Sequence, residues 1–446
     1  MPTWIDDMSD PQAVHSTLKK FQLADGLPLV MDLERSHGVF LFDSRSGREY
    51  LDLFTCFASW PIGYNHPRMS EPAFERDLML AAKTKVANSD LYTTQMADFV
   101  EAFSTRVTPP EYMHHFWVAG GALAVENALK VAFDWKAHKI GLENAKDGRD
   151  LCVLHFKGAF HGRSGYTMSL TNSDPRKIAL FPKFDWPRVS TPAIEFDLEG
   201  GIANDVAALE QKALAEIAAA FAARPAQIAC ILIEPLQGEG GDNHFRSEFL
   251  AALRKVADEN EALLVFDEVQ TGFYGSGRTW LWQHHGVAPD IVCFGKKTQV
   301  CGIYANGRVD DVPENVFHSP SRINSTWGGN LVDMVRCRQF IEIIEDEELA
   351  RNAALRGAEL VAGLRQVAKE RGQIHNVRGI GSLAAFTLES PAARDKMLKD
   401  LFAKQLLALA SGPRAIRFRL PLVISSAEVG EVLARVEDCL PAGVQA

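Results

Sequence analysis

DIVCFGKKTQVCG, residues 290–302, sets two adjacent lysines, Lys296 and Lys297, at the end of an apolar run. The run itself, Ile291–Phe294, reads as a buried strand. Four more runs share its character: His115–Val118, Leu151–Phe156, Ile228–Glu234 and Ala262–Asp267. All are short and nearly continuous in Val, Ile, Leu and Phe, the pattern of strands covered on both faces by helices. Helical stretches separate them. LAVENALKVAFDWKAH (Leu123–His138) has apolar residues at mixed three- and four-residue spacing, DVAALEQKALAEIAAAFAA (Asp205–Ala223) is alanine-rich, and RSEFLAALRKVADEN (Arg246–Asn260) is amphipathic. The fold expected is α/β, with a mainly parallel central sheet and helices on both faces.

The ends read differently. GVFLFDSRSGREYLDLF (Gly38–Phe54) alternates around a Ser-Gly turn and predicts a β-hairpin. A long helical region runs from Met334 to about Arg371, followed by a mixed segment and a final helix. The division expected is residues 1–70 and 331–446 as a smaller α+β domain built from both chain ends, around a large domain at 71–330.

The 446-residue chain is 47% hydrophobic and 23% charged, ordinary values for a globular protein with a large core. Its formal net charge of -10 argues against nonspecific binding to nucleic acid or an anionic membrane. Seven scattered cysteines without a C-x-x-C pair read as reduced thiols. No apolar run approaches a membrane span, and MPTWIDDMSDPQ carries aspartates where a signal peptide needs positive charge. A cytoplasmic location is expected. His114-His115 and His284-His285 read as structural, and no metal site is expected.

In open parallel sheets, ligands bind beyond the carboxyl ends of the strands. Those positions here hold AGGA, GAFHGRSG, EPLQGEGG, DEVQTG and GKKTQ. A lysine at such a strand end suits carbonyl chemistry once burial and a neighbouring cation lower its pKa. Asp267 ends an apolar strand, where an unpaired charge is expensive. It reads equally well as a buried salt-bridge partner or as the acceptor for a pyridinium proton. Gly121 and Ala122 open a helix whose N-terminal N–H groups can take a phosphate, although a tight turn alone would explain them. Together, in the order phosphate cradle, aspartate, lysine, these groups specify pyridoxal 5'-phosphate.

The motifs LIEPLQGEGG, LLVFDEVQTGF, APDIVCFGKK and IRFRLPLVIS resemble the class III, fold-type I, PLP-dependent aminotransferases over nearly the whole chain. FPKFDWPR and STWGGN are similar to the subgroup that moves the ε-amine of L-lysine to 2-oxoglutarate. The resemblance implies a ping-pong reaction giving L-glutamate and 2-aminoadipate 6-semialdehyde, which cyclises. Ornithine or 4-aminobutyrate is the alternative donor. In the family the Schiff-base lysine precedes a Gly-Gly pair by three residues. That count selects Lys297, with Cys301 at the first glycine position. The resemblance places Asp267 on the ring nitrogen, Gln270 on the ring hydroxyl and substrate, Phe160 against the ring, and Gly121 and Ala122 on the phosphate. Thr326 would reach the phosphate of a partner subunit, making a homodimer the working unit. Arg163 would take the distal carboxylate of either substrate. Arg417 would bind the α-carboxylate of 2-oxoglutarate, with Glu239 masking it while the methylenes of lysine pass. Arg414 and Arg419 are expected to be solvated, and Glu234 is assigned no role.

Overall fold

The computed structural model describes residues 10–142 and 148–441. Strands β1 (Phe40–Asp43) and β2 (Arg48–Asp52) form the expected antiparallel hairpin, Phe40 opposite Leu51 and Asp43 opposite Arg48. Its turn closes at Gly47, at φ 69°, where Asp43 accepts from the backbone N–H groups of Arg45 and Ser46.

The central sheet contains β3 (His114–Val118), β4 (Cys152–Phe156), β5 (Arg188–Val189), β6 (Ile228–Ile233), β7 (Leu263–Asp267), β8 (Ile291–Phe294) and β9 (Cys301–Ala305). Their spatial order is β3-β9-β8-β7-β6-β4-β5. Strands β4 to β8 pair in parallel, whereas β9 runs antiparallel to both β8 and β3. The five strands read from the sequence all form, each within one residue of its expected ends. The sequence reading missed β9 and the two-residue β5. CGIYA follows the lysines directly and is too short and glycine-broken to separate from a turn by pattern alone.

Both faces of the sheet are apolar because successive side chains point to opposite sides. Leu263, Val265, Ile291 and Cys293 enter one core, shared with Ala124, Ala128 and Leu129 of helix Gly121–Lys139. Leu264, Phe266, Val292 and Phe294 enter the other. The helical region expected from Met334 to Arg371 is two helices, Leu331–Asp346 and Leu349–Arg371, broken at Glu348 with φ 50°. The first packs Met334, Phe340 and Ile341 into the second of these sheet cores.

The remaining strands are β10 (His375–Ile380), β11 (Leu383–Thr387), β12 (Leu406–Leu407), β13 (Leu409–Ser411) and β14 (Ala415–Arg419). Four form an antiparallel sheet in the order β10-β11-β14-β13, while β12 pairs in parallel with β2. Residues from both chain ends thereby share a core, Val39 and Leu51 with Leu406, Ile416 and Phe418. The β10–β11 turn sits against the central sheet's loops, Ser382 N–H donating to Gly275 O at 2.7 Å. Helix Leu349–Arg371 crosses over this turn at Gly357, where a Cβ would lie 1.8 Å from Gly381 O. Gly357→Ala must therefore displace backbone, and a loss of about 1–3 kcal/mol is expected, read as a fall in the thermal unfolding midpoint.

Candidate active site

The loops that follow β3, β4, β6, β7 and β8 converge on a cavity of about 310 Å³. Its walls include Gly121, Ala122, Phe160, Arg163, Glu234, Glu239, Asp267, Gln270 and Lys296. Most of the site residues read from the sequence are thus brought together. Lys297, Arg417 and Thr326 are not in the wall.

The structure corrects the choice between the lysines. Lys296 stands at φ 54°, a left-handed conformation that costs a non-glycine residue of order 1 kcal/mol or more, and its half-buried side chain opens on the cavity. Lys297 is buried and turned away, its Nζ donating to Gln270 O at 2.6 Å. The glycine count, which selects Lys297, measures distance along the chain and not the side to which each side chain turns. Burial, then the charges of Arg417 and Arg419, lower the pKa of Lys296 to about 8. Burial, Arg419 and Lys296 lower that of Lys297 to about 7. Both are weakly held ammonium ions, so position rather than basicity separates them.

Asp267 ends β7 with its carboxylate in the cavity wall. Oδ1 accepts from Val269 N–H at 3.0 Å, and Oδ2 lies 2.8 Å from His161 Nδ1. The partner required for this buried carboxylate is therefore His161, which the sequence reading passed over. Glu234, given no role above, accepts from the backbone N–H groups of Phe160 and Gly238, both at 3.0 Å. It ties the β4 loop to the β6 loop, and burial raises its pKa to about 7.

Helix Gly121–Lys139 begins at the cavity with Gly120, at φ 110°, in place of a capping side chain. A Cβ on Gly121 would lie 2.8 Å from Val269 Cγ1, and one on Gly162 would lie 2.5 Å from Ala122 Cβ. The loops approach this helix end so closely that its backbone is the surface offered to a ligand.

The arginines depart from expectation. Arg419, expected in solvent, is 1% exposed and makes a bidentate pair with Asp242, NH1 to Oδ2 at 2.7 Å and NH2 to Oδ1 at 2.6 Å. Its Nε also donates to Gln270 Oε1 at 3.1 Å. Arg417 lies behind Gln270, donating from NH1 to the same oxygen at 3.0 Å. Its Nε is buried without a partner, and burial followed by Arg419 lowers its pKa to about 10. The expected Glu239–Arg417 pair is not formed. Glu239 Oε1 instead meets Lys177 Nζ and accepts from Ser173 Oγ at 2.8 Å. Arg414 is exposed, as read. Arg163 is exposed at the cavity mouth with its guanidinium 5.8 Å from the Phe160 ring centre. Thr326 is exposed and lies outside the cavity of its own chain. Elsewhere, His114 and His318 Nε2 flank Asp310, at 2.8 and 3.0 Å, a grouping that residue spacing could not reveal. Asn315 also donates to Asp310, so hydrogen bonds account for the cluster.

Residues 22–440 match the family model of the class-III aminotransferases, and the chain belongs to that family. It is 49% identical over 433 residues to the L-lysine-epsilon aminotransferase of Mycobacterium tuberculosis, covering 97% of this chain and 96% of that one. The enzyme of the same description from Streptomyces clavuligerus is 47% identical over 435 residues, covering 97% and 94%. A probable 4-aminobutyrate aminotransferase from Caenorhabditis elegans is 30% identical over 432 residues, covering 92% and 88%. The solved M. tuberculosis lysine aminotransferase in the internal aldimine form superposes with a TM-score of 0.92 at 49% identity, covering 97% of this chain and 99% of that one.

The family is pyridoxal phosphate-dependent, and the residues present fit the group. An amine, a carboxylate fixed by His161 and a crowded, side-chain-free helix N-terminus all face one cavity.

The buried pair beneath the site gives a stability test. Asp242→Ala leaves the Arg419 guanidinium without its anionic partner, and a loss of about 3–5 kcal/mol is expected in denaturant unfolding.

Proposed function

We propose that this chain transfers the ε-amino group of L-lysine to 2-oxoglutarate, giving 2-aminoadipate 6-semialdehyde and L-glutamate. The observation that carries the reading is the meeting of Lys296 and Asp267 in one cavity, with Arg417 behind its wall. The choice of donor is supported by 47–49% identity to lysine ε-aminotransferases, against 30% to a 4-aminobutyrate enzyme.

Lys296 Nζ would hold the cofactor's aldehyde carbon, Asp267 its ring nitrogen, Phe160 its ring face, and the Gly121–Ala122 backbone its phosphate. Bound there, pyridoxal phosphate supplies an aldehyde for an amine and a ring that draws electrons from the adjacent carbon. His161 keeps Asp267 oriented as an acceptor. Lys296 Nζ would also be the base placed to move the proton from the substrate's ε-carbon. Its lowered pKa leaves much of it neutral near pH 8. Arg163 at the mouth holds the distal carboxylate of either substrate, and Arg417 takes the α-carboxylate of 2-oxoglutarate, each as a fork for two oxygens. Gln270 spaces Arg417 from the cavity.

Thr326, exposed on its own chain, would serve a partner subunit, so a homodimer is part of the proposal. Among the described residues no helix is long and apolar enough to cross a membrane. A cytoplasmic enzyme is proposed.

Lys296→Ala should abolish borohydride-trapped cofactor, seen by mass spectrometry, and slow turnover at least about 100-fold. Lys297→Met should keep the trapped cofactor and lose no more than about tenfold, the effect of moving the Lys296 pKa by about one unit. Loss of trapping in Lys297→Met alone would reverse the assignment. Because a neutral amine attacks the aldehyde, cofactor capture by the apoprotein should accelerate as pH rises through about 8, followed by absorbance. Initial rates with lysine, ornithine and 4-aminobutyrate test the donor, and lysine as the poorest of the three would sink the proposal.

A further inference from the structure

We propose that Lys177 is the positioning residue that holds Glu239 away from Arg417, and that it thereby sets how well the site accepts the dicarboxylate oxo acid. This rests on the two-substrate reading above and assigns a residue that the reading did not contain.

Three observations converge. First, Glu239 is occupied: its Oε1 carries both the Lys177 ammonium and the Ser173 hydroxyl, with the ion pair's side chains only 25% and 20% exposed. Second, Arg417 is vacant of carboxylate. It is 3% exposed, and among the described residues its Nε has no partner and its NH1 donates to a neutral amide oxygen. A buried guanidinium in this condition is poised for an anion. Third, the backbone around each partner is pinned. Glu239 O accepts from Gly412 N–H at 2.7 Å, and a Cβ on Gly240 would lie 2.2 Å from Gly158 O. Lys177 ends a 3-10 turn capped by Asp174, and its Nζ lies 5.4 Å from the Phe160 ring centre. Exchange between Lys177 and Arg417 therefore falls to side chains, Glu239 turning and Gln270 giving up its place on Arg417, and not to a loop movement.

One carboxylate is thus contested by two cations. When the acceptor's α-carboxylate takes Arg417, Glu239 needs another cation in a half-buried place, and Lys177 is built there. Without Lys177, Glu239 becomes an internal competitor for Arg417. The apparent affinity for the acceptor then falls by the fraction of enzyme in which Arg417 is free. The lysine half-reaction, which needs Arg417 covered, loses nothing.

The test is rapid-mixing kinetics of the two half-reactions on purified holoenzyme, with L-lysine and with 2-oxoglutarate. In Lys177→Met the 2-oxoglutarate concentration at half-saturation should rise about tenfold, with the saturating rate and the lysine half-reaction within about twofold. Lys177→Arg should restore the wild-type value. In a Glu239→Gln background Lys177→Met should add nothing, since the competing charge is already gone. An unchanged half-saturation in Lys177→Met overturns the proposal. So does a tenfold rise that persists in Glu239→Gln, which would mean that Lys177 meets the acceptor itself. Wild-type enzyme that fails to react with lysine would instead defeat the donor assignment, and the 2-oxoglutarate arm would still read the Lys177–Glu239 coupling.

Discussion

One uncharged side chain, Gln270, organises the cations on which the site depends. Its Oε1 accepts from both Arg417 and Arg419, and its backbone oxygen accepts from Lys297. Three cations are gathered within reach of one residue, and Asp242 neutralises only Arg419 directly. The packing is close enough that a Cβ on Gly238 would lie 2.3 Å from Gln270 Oε1. A charged residue in place of Gln270 would pair with one guanidinium and draw it from the substrate's path. A neutral acceptor holds both in place and leaves the charge of Arg417 unpaired.

Burial first, and the neighbouring cations second, account for the two lysines. Burial in a region already rich in guanidinium makes an ammonium costly, so both pKa values fall. The site needs just one such amine facing the cavity, and the backbone provides it. The left-handed turn at Lys296 sends that side chain towards Asp267, and the next residue returns to the Gln270 carbonyl beneath the loop. Strain at a single residue is thereby spent on separating two chemically equal neighbours.

Much of this was legible in the sequence. Strands β4, β6, β7 and β8 announced themselves by runs that are apolar on both faces, and the candidate site residues followed because ligands gather at the strands' carboxyl ends. What the sequence concealed is of one physical kind. The His161–Asp267 contact spans 106 positions, and the Arg419–Asp242 pair spans 177. Neither leaves a periodic trace, so Arg419 read as solvated and the partner expected for Asp267 could not be named. The placement of the two lysines was hidden for a local reason. Spacing to a glycine pair counts residues, whereas one positive φ decides which side chain enters the cavity. Strand β9 was lost because five residues with a glycine among them give no period to detect.

The same electrostatics bears on the incoming donor. A chain of net charge -10 attracts cations at long range, yet its cavity is walled or backed by Lys296, Arg163 and Arg417. An ε-ammonium entering it meets the same burial, and then the same cations, that lower the pKa of Lys296, and it must lose its own proton before it can attack. These surroundings therefore act on both amines in the same direction, and they favour the exchange of one neutral amine for another. Three carboxylates, Glu234, Glu239 and Asp267, share the same wall, so an acceptor carboxylate depends on Arg163 and Arg417 individually. A site that helps its donor by neutralising it and its acceptor by pairing with it needs a movable anion to pass between the two conditions. Glu239, in the cavity wall with its backbone oxygen held by Gly412 N–H, is the carboxylate we propose for that part.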